Sequence, residues 1–334
     1  MNKQLKDIHF SVLDLATVRE GKDIADTYQN SIKLVQHVEQ LGYKRYWLAE
    51  HHNMESIASA ATSVLIGHVA NATKTIRVGS GGIMLPNHAP LIIAEQFGTL
   101  ATLYPGRIDL GLGRAPGTDQ ITSMALRRDR FAAYNFPQQV QELLTYFSAD
   151  NKNALVRAIP GEGLNIPVWI LGSSTDSAYL AASMGLPYAF ASHFAPTYLL
   201  QALDIYREKF QPSVYLQQPY AMAAINVVAA ETNEDATFVS TSFLQLATTI
   251  VRGKPKPMPM PINDMNEFWT PLEEEAVQRM RAYSFVGNKA SIQQQLQQFL
   301  EATQVDELMI VSHIYDQDVK LRSYEIVAEI KAKA

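Results

Sequence analysis

The chain has no cysteine at all. Disulfides, thiolate nucleophiles and cysteine-ligated zinc or iron–sulfur centres are therefore excluded, and a reducing cytosol is the expected compartment. A basic tract is also missing: 28 Lys and Arg stand against 33 Asp and Glu, spread along the chain, for a formal net charge of −5. Such a distribution does not suit the tracking of a nucleic acid backbone, so no nucleic acid partner is expected. Long hydrophobic runs are absent too, none approaching the roughly 18 apolar residues of a membrane span. The apolar run within MNKQLKDIHFSVLDLA is too short for a signal peptide, so the expectation is a soluble, cytoplasmic protein without a membrane partner.

What the chain does have is apolar side chain, 47% hydrophobic against 18% charged, which supplies a sizeable core and argues against disorder. Its 334 residues fit two ordinary domains or one large barrel. Apolar, β-branched runs alternate with stretches of helical period. IHFSVLDL precedes a helix at 26–41, YKRYWLAE one at 57–72, TIRVGSGGIML one at 89–103, and RIDLGLG a helical region within 117–148. PVWILGS then precedes a helix at 175–184, PYAFAS one at 196–209, AMAAINVVAA one from about 233, and DELMIVS the last at 318–332. About eight strands, each followed by a helix, predict an α/β fold: a (β/α)8 TIM-type barrel, a single domain over 1–334, with an open doubly wound sheet as the alternative. Residues 251–275 break the rhythm with five prolines from Pro255 to Pro271 and read as a long proline-rich insertion loop. That loop is either a surface insertion or a lid, and Phe268 and Trp269 favour the lid because exposed aromatics need something to cover.

Four stretches carry candidate chemistry. In YWLAEHHN, residues 46–53, strand alternation sends His51 and His52 to opposite faces, which disfavours a shared metal ion; His37, His68, His88, His193 and His313 stand alone, so no metal is expected. Glu50, His51 and His52 fall at a strand's C-terminal end, where barrels place catalysis, although a satisfied strand-end histidine fits as well. In RVGSGGIMLPNHAP, the run Gly79 to Gly82 permits either a tight turn or close approach of a flat ligand. In PGRIDLGLGRAPG, Pro116 stands where a dinucleotide fingerprint needs its third glycine, and Arg114 is instead placed to meet an anion at the barrel mouth. In PVWILGSSTDSAYLAASMG, Gly172, Ser173, Ser174 and Ser177 join a strand to a helix start, the ingredients of a phosphate site or of an ordinary serine cap.

From YWLAEHHN through IASAATSVLIGHVANATKTIRVGSGGIMLPNHAPLIIAEQFGTLATLYPGRIDLGLGR, and again in PVWILGSSTDSAYLAASMGLPYAF and SFVGNKASIQQQLQQFLEATQVDELMIV, the chain resembles the bacterial luciferase-like flavin monooxygenases. The resemblance implies a barrel that binds FMN at its C-terminal face, with a mobile loop at about 251–283. It also implies an enzyme that uses reduced FMN and O2 through a C4a-peroxyflavin to oxidise a small organic substrate. By position, His51 falls on the family's active-site histidine with Glu50 beside it, and Gly81–Gly82 on its non-proline cis peptide beneath the flavin. Gly113 lies near the flavin's reactive carbon; Arg114, Gly172, Ser173, Ser174 and Ser177 match the phosphate contacts. Asp14, His88 and His193 are expected to line the substrate pocket. Gly113 and Ser173 stand where luciferase itself has a cysteine and a carboxylate, departures that speak against light emission and a long-chain aldehyde. With no nicotinamide fingerprint, the reduced flavin is expected from a separate flavin reductase, and the resemblance implies a homodimer. The alternatives are a deazaflavin-dependent hydride-transfer enzyme, a non-catalytic flavin-binding barrel, and a barrel for an unrelated phosphorylated ligand.

Overall fold

A computed structural model describes residues 3–128 and 134–333. One parallel sheet contains β1 (His9–Asp14), β2 (Arg45–Leu48), β3 (Arg77–Met84), β4 (Ile108–Gly113), β5 (Val168–Gly172), β6 (Tyr188–Phe190), β7 (Ala221–Ala229), β8 (Ser284–Gly287) and β9 (Glu307–Val311). Strands β1 to β7 pair in succession, and β9 pairs with both β7 and β1, so that eight strands close into a barrel. Strand β8 is extra to that ring and runs beside the C-terminal half of β7, Asn226 to Ala229. The helices are α1 (Ile24–Gln40), α2 (Thr62–Asn71), α3 (Pro90–Leu103), α4 (Gln120–Ala125), α5 (Phe136–Phe147), α6 (Thr175–Met184), α7 (Leu199–Lys209), α8 (Asn233–Val251), α9 (Pro271–Met280), α10 (Lys289–Thr303) and α11 (Gln317–Lys333). Among the described residues no helix is long and apolar enough to cross a membrane.

Strand parity sorts the side chains into two cores. Phe10, Val12, Tyr46, Leu48, Val78, Leu110, Leu112, Ile170 and Ile310 point outward and are buried beneath the helices. Helix α1 meets them with Leu34, Val35 and Val38, a stripe at helical spacing, and starts where Asp23 caps the Asp26 N–H. The opposite parity fills the lumen: Leu13, Trp47, Trp169, Met222 and Met309 form a separate apolar plug. Trp169 packs edge-on against Trp47 and Tyr220, with ring centroids 5.2 and 5.6 Å away, so the barrel is solid at mid-height.

Below the plug, at the N-terminal end of the strands, lies a buried charge network. Asp109 accepts from Arg45 Nη1 at 2.7 Å and Arg77 Nη2 at 2.6 Å, while Arg45 Nε reaches Glu307 at 3.0 Å. Tyr220 and Ser11 donate to the same Glu307 carboxylate. Two cations face two anions, which makes the burial tolerable only while all four remain.

Several sequence expectations shift. The helix expected at 57–72 begins at Thr62, because Ala58 N–H donates to Ala16 C=O and Ile57 bridges Thr17 instead. The region at 117–148 holds α4 and α5, and residues 129–133 within it lie outside the described residues. The proline-rich loop ends earlier than its composition suggests: Pro271 is the first residue of α9, after Thr270 and Glu273 form a capping box. Strand β8 and helices α9 and α10 were not read from the sequence. Phe268 and Trp269 do not stand exposed at the mouth; they pack with Met265, with Phe243 and Leu244 of α8 and with Val277 of α9 in a small satellite core. Further along, Met258 is pinned between Val18 C=O and Glu20 N–H at 2.8 Å each.

Removing Asp109 leaves Arg77 without its carboxylate and the buried Arg45 with Glu307 as its one remaining carboxylate partner. Asp109→Ala is expected to cost about 3–5 kcal/mol of unfolding free energy. A urea titration that finds less than about 1 kcal/mol, the worth of an exposed pair, would contradict the network's role.

Candidate active site

At the C-terminal end of β2, parity decides what each residue does. Arg45, Trp47 and Ala49 face the lumen, so His51 continues inward while Glu50 and His52 turn outward. Glu50 is only 1% exposed, yet its carboxylate is fully engaged: Oε1 lies 2.9 Å from His52 Nε2 and 2.8 Å from His88 Nε2, and Oε2 accepts from Met84 N–H at 3.1 Å. Burial alone would raise its pKa, but the hydrogen bonds from His52 and His88 overcome that and bring it to about 2. His88, which looked isolated in the sequence, therefore belongs to this cluster. His52 N–H is fixed to Gly117 C=O at 3.1 Å, and His51 N–H to Ser59 C=O at 3.0 Å.

The His51 ring is left without a partner. Its Nδ1 is buried and unbonded among the described residues. Burial pushes its pKa down to about 4, against the pull of Glu50. A neutral imidazole at the barrel mouth can accept or donate a proton by tautomer, which is acid–base chemistry held ready next to a permanent anion.

Beside it, β3 and β4 approach closely. The Gly81–Gly82 peptide is cis. A Cβ on Gly82 would come 2.6 Å from Gly111 C=O, and one on Gly81 2.8 Å from Leu13 Cδ1. Ser80 Oγ takes the Gly111 N–H and donates to its C=O, both at 2.9 Å, locking the two strands. With Gly113 ending β4, the adjoining strands present a strip of backbone without side chains at Gly81, Gly82, Gly111 and Gly113.

On the far side of this strip the chain presents an anion-binding arrangement. Helix α6 starts at Thr175 behind Ser174, whose side chain makes no capping bond, so the first-turn N–H groups stay available. Arg114, directly after β4, reaches Asp176 in that first turn at 3.3 Å, with both side chains exposed. Ser177 Oγ donates to Ser174 C=O at 2.7 Å and pairs with Tyr188 Oη at 3.0 Å, shaping the turn next to Gly172 and Ser173. Arg128 holds Arg114 C=O at 2.6 Å and Asn87 Oδ1 at 2.8 Å; no motif in the sequence marks it. An exposed arginine facing an uncapped helix start fits a phosphate, and the bare strip fits the flat ring such a group would carry.

The three pocket residues expected from the sequence go to different places. Asp14 has the outward parity of Phe10 and Val12, and its oxygens accept from Ser31 Oγ, Tyr46 Oη and Ala16 N–H, behind the barrel wall. Lys320 stands 4.0 Å from it in the same small cavity. His88 is held by Glu50, as described. His193, after β6, has Nδ1 buried and unbonded, and its C=O accepts from Asn226 Nδ2 at 2.6 Å. Burial, with the charge of His51, pushes the His193 ring down to about 3. Asn226 was not singled out from the sequence, where a lone asparagine in a β-strand carries no signal.

Bare strip, arginine and inward histidine lie together at the C-terminal face of a parallel α/β barrel. The chain belongs to the luciferase-like monooxygenase family, whose pattern it matches over residues 8–307. It is 54% identical to a luciferase-like monooxygenase of Escherichia coli (strain K12) over 327 residues, covering 98% of each chain. Its fold overlays apo-MsnO8 with a TM-score of 0.87 at 33% identity, covering 98% of this chain and 99% of that one. It also overlays the oxygenating constituent of 3,6-diketocamphane monooxygenase from a Pseudomonas putida plasmid, in complex with FMN, with a TM-score of 0.71 at 17% identity and 98% coverage of each. Family membership supports an oxidoreductase.

The neutral histidines and the ionised Glu50 set the direction of pH dependence. His51 sits at about 4 in the fold against 6.5 when free, so its neutral form favours the native state. That contribution is complete above pH 6.5 and is lost as pH falls toward 4; the Glu50 contribution, from 4.5 to about 2, follows at lower pH. Urea midpoints are expected to drop on acidification below pH 6.5, and less steeply in His51→Ala. Parallel pH profiles for the two proteins would show that His51 is not buried as neutral imidazole.

Proposed function

We propose that this protein is a flavin-dependent monooxygenase that takes reduced FMN from a separate reductase and uses O2 to oxidise a small organic substrate. The observation that carries this reading is the convergence of Arg114, the uncapped start of α6, the Gly81–Gly82 strip and the inward His51 on one face of the barrel. Arg114 and the α6 N–H groups would hold the phosphate, with Ser173 and Ser174 beside them. The flat ring would rest against Gly81, Gly82 and Gly113, where side chains are excluded by the close approach of β3 and β4. Bound reduced FMN would supply the electrons that activate O2.

The rest is done by the chain itself. The plug of Trp47 and Trp169 closes the lumen below, so water would not reach the site from the base of the barrel. His51, neutral at physiological pH, would give or take a proton at Nδ1. Glu50 does not touch the lumen; it fixes the backbone on either side of His51 by gripping His52, His88 and Met84.

Flavin fluorescence gives a direct test. Arg114→Ala should weaken FMN binding about 10- to 100-fold, the worth of one charge-assisted hydrogen bond. His51→Ala should leave FMN affinity within about threefold, since its orphaned atom is assigned to proton transfer rather than to flavin contact. No FMN binding by the wild type, together with tight binding of a deazaflavin coenzyme, would make the protein a hydride-transfer enzyme; no binding of either would remove the flavin reading altogether.

A further inference from the structure

Three buried polar atoms at the top of the lumen have no hydrogen-bond partner among the described residues: Nδ1 of His51, Nδ1 of His193 and Oδ1 of Asn226. His51 and His193 follow the C-terminal ends of β2 and β6, and Asn226 lies in the C-terminal half of β7. In the ring β1 to β7 and β9, strands β2 and β6 stand diametrically opposite one another. His51 is close enough to His193 to disfavour its charge. Asn226 shares the inward parity of Met222 and Ala224 in the lumen plug. Its Nδ2 is committed to His193 C=O at 2.6 Å and to Ser284 Oγ at 3.1 Å, which settles the amide orientation and leaves Oδ1 as the free acceptor.

An unpaired buried polar atom costs about 1–3 kcal/mol, so three in one place call for a partner that arrives with the working state. The chemistry of that partner follows from the three atoms. Each Nδ1 donates or accepts according to tautomer, and the amide oxygen only accepts. Burial favours the neutral form of both rings, and the charge adjoining His51 in the chain is the anion of Glu50. Arg19 is committed to Asp26 and Tyr315 C=O, and Lys320 lies by Asp14 behind the wall. A carboxylate or sulfonate placed here would lose its hydration to two neutral rings and an amide oxygen, which repays little of the cost.

We propose that His193 and Asn226 form the substrate-recognition wall opposite His51, and that the substrate is an uncharged small molecule presenting a hydroxyl, carbonyl or amide to these three atoms. The assignment of these contacts to a substrate rests on the monooxygenase reading above. His193 acts as a positioning residue: Asn226 clamps its backbone, and Nδ1 orients the ligand between the two imidazoles. The aromatic floor of Trp47 and Trp169 takes the apolar remainder of the molecule.

The test uses FMN-saturated full-length protein and a panel of small alcohols, ketones and amides, each matched with the carboxylate of the same carbon skeleton. Dissociation constants and the imidazole 15N resonances of His51 and His193 are recorded. A neutral member should shift both Nδ1 resonances and bind at least about tenfold tighter than its carboxylate, a difference of one unmade charge-compensating contact. Because asparagine places an amide atom near the Nδ1 position and glutamine near Nε2, His193→Asn should retain binding within about threefold while His193→Gln loses about tenfold. A role in packing alone would rank these two variants by size, with Gln the better tolerated. Carboxylates that bind as tightly as their neutral partners, a reversed order of the two variants, or no panel member that shifts His193 Nδ1 would overturn the proposal. FMN binding is measured first, and the panel is repeated on flavin-free protein. Failure to bind FMN with a His193-dependent panel result sinks the flavin reading alone; FMN binding without that dependence sinks the wall.

Discussion

The site depends on one buried carboxylate. Glu50 is held as an anion by two histidines and a backbone N–H, from segments as far as 38 residues apart in the chain. In that position it ties the end of β2 to the turn after β3, and the cis Gly81–Gly82 step lies just before the tied Met84. Strand parity puts this anchor outside the lumen and His51 inside it. The His51 ring thus projects from a backbone anchored by a charge that the ring does not touch, and under the proposed function an acid–base group would gain a fixed place without being neutralised by its support.

The lumen is graded along its axis. Charge is confined to the base, where Arg45, Arg77, Asp109 and Glu307 compensate one another. Large apolar rings fill the middle, and glycine, alanine and orphaned polar atoms occupy the top. Among the described residues the lumen is filled at its base and middle, so a ligand in the proposed site would come from the C-terminal end and meet an apolar floor with hydrogen-bonding groups on the walls. The glycines matter here for what they leave out: at Gly82 and Gly111 the neighbouring strand occupies the space a Cβ would need.

Much of the fold was legible because parallel strands buried on both faces leave nearly continuous apolar runs, as in β5 and β7. Strand β8 was not legible: SFVG is short, half-buried and extra to the ring. Helices α9 and α10 follow a segment whose prolines dominate its composition, and Pro271, counted there as a breaker, starts a helix. Phe268 and Trp269, which as exposed aromatics would need something to cover, are instead packed against helices α8 and α9. In the candidate site, the split of His51 from His52 followed from alternation, and the same alternation places Asp14 on the outer face. The link between Glu50 and His88, and the roles of Arg128 and Asn226, come only from tertiary contact, since no local spacing encodes them.

The central claim is that the C-terminal face forms one continuous flavin site running from α6 to His51. An experimental structure of the protein with FMN tests it most directly. The phosphate is expected within about 3 Å of Arg114 and the first-turn N–H groups of α6, with the ring lying on Gly81–Gly82 and one edge toward His51. A flavin phosphate bound by other cations, or a ring turned away from the glycine strip, would contradict it.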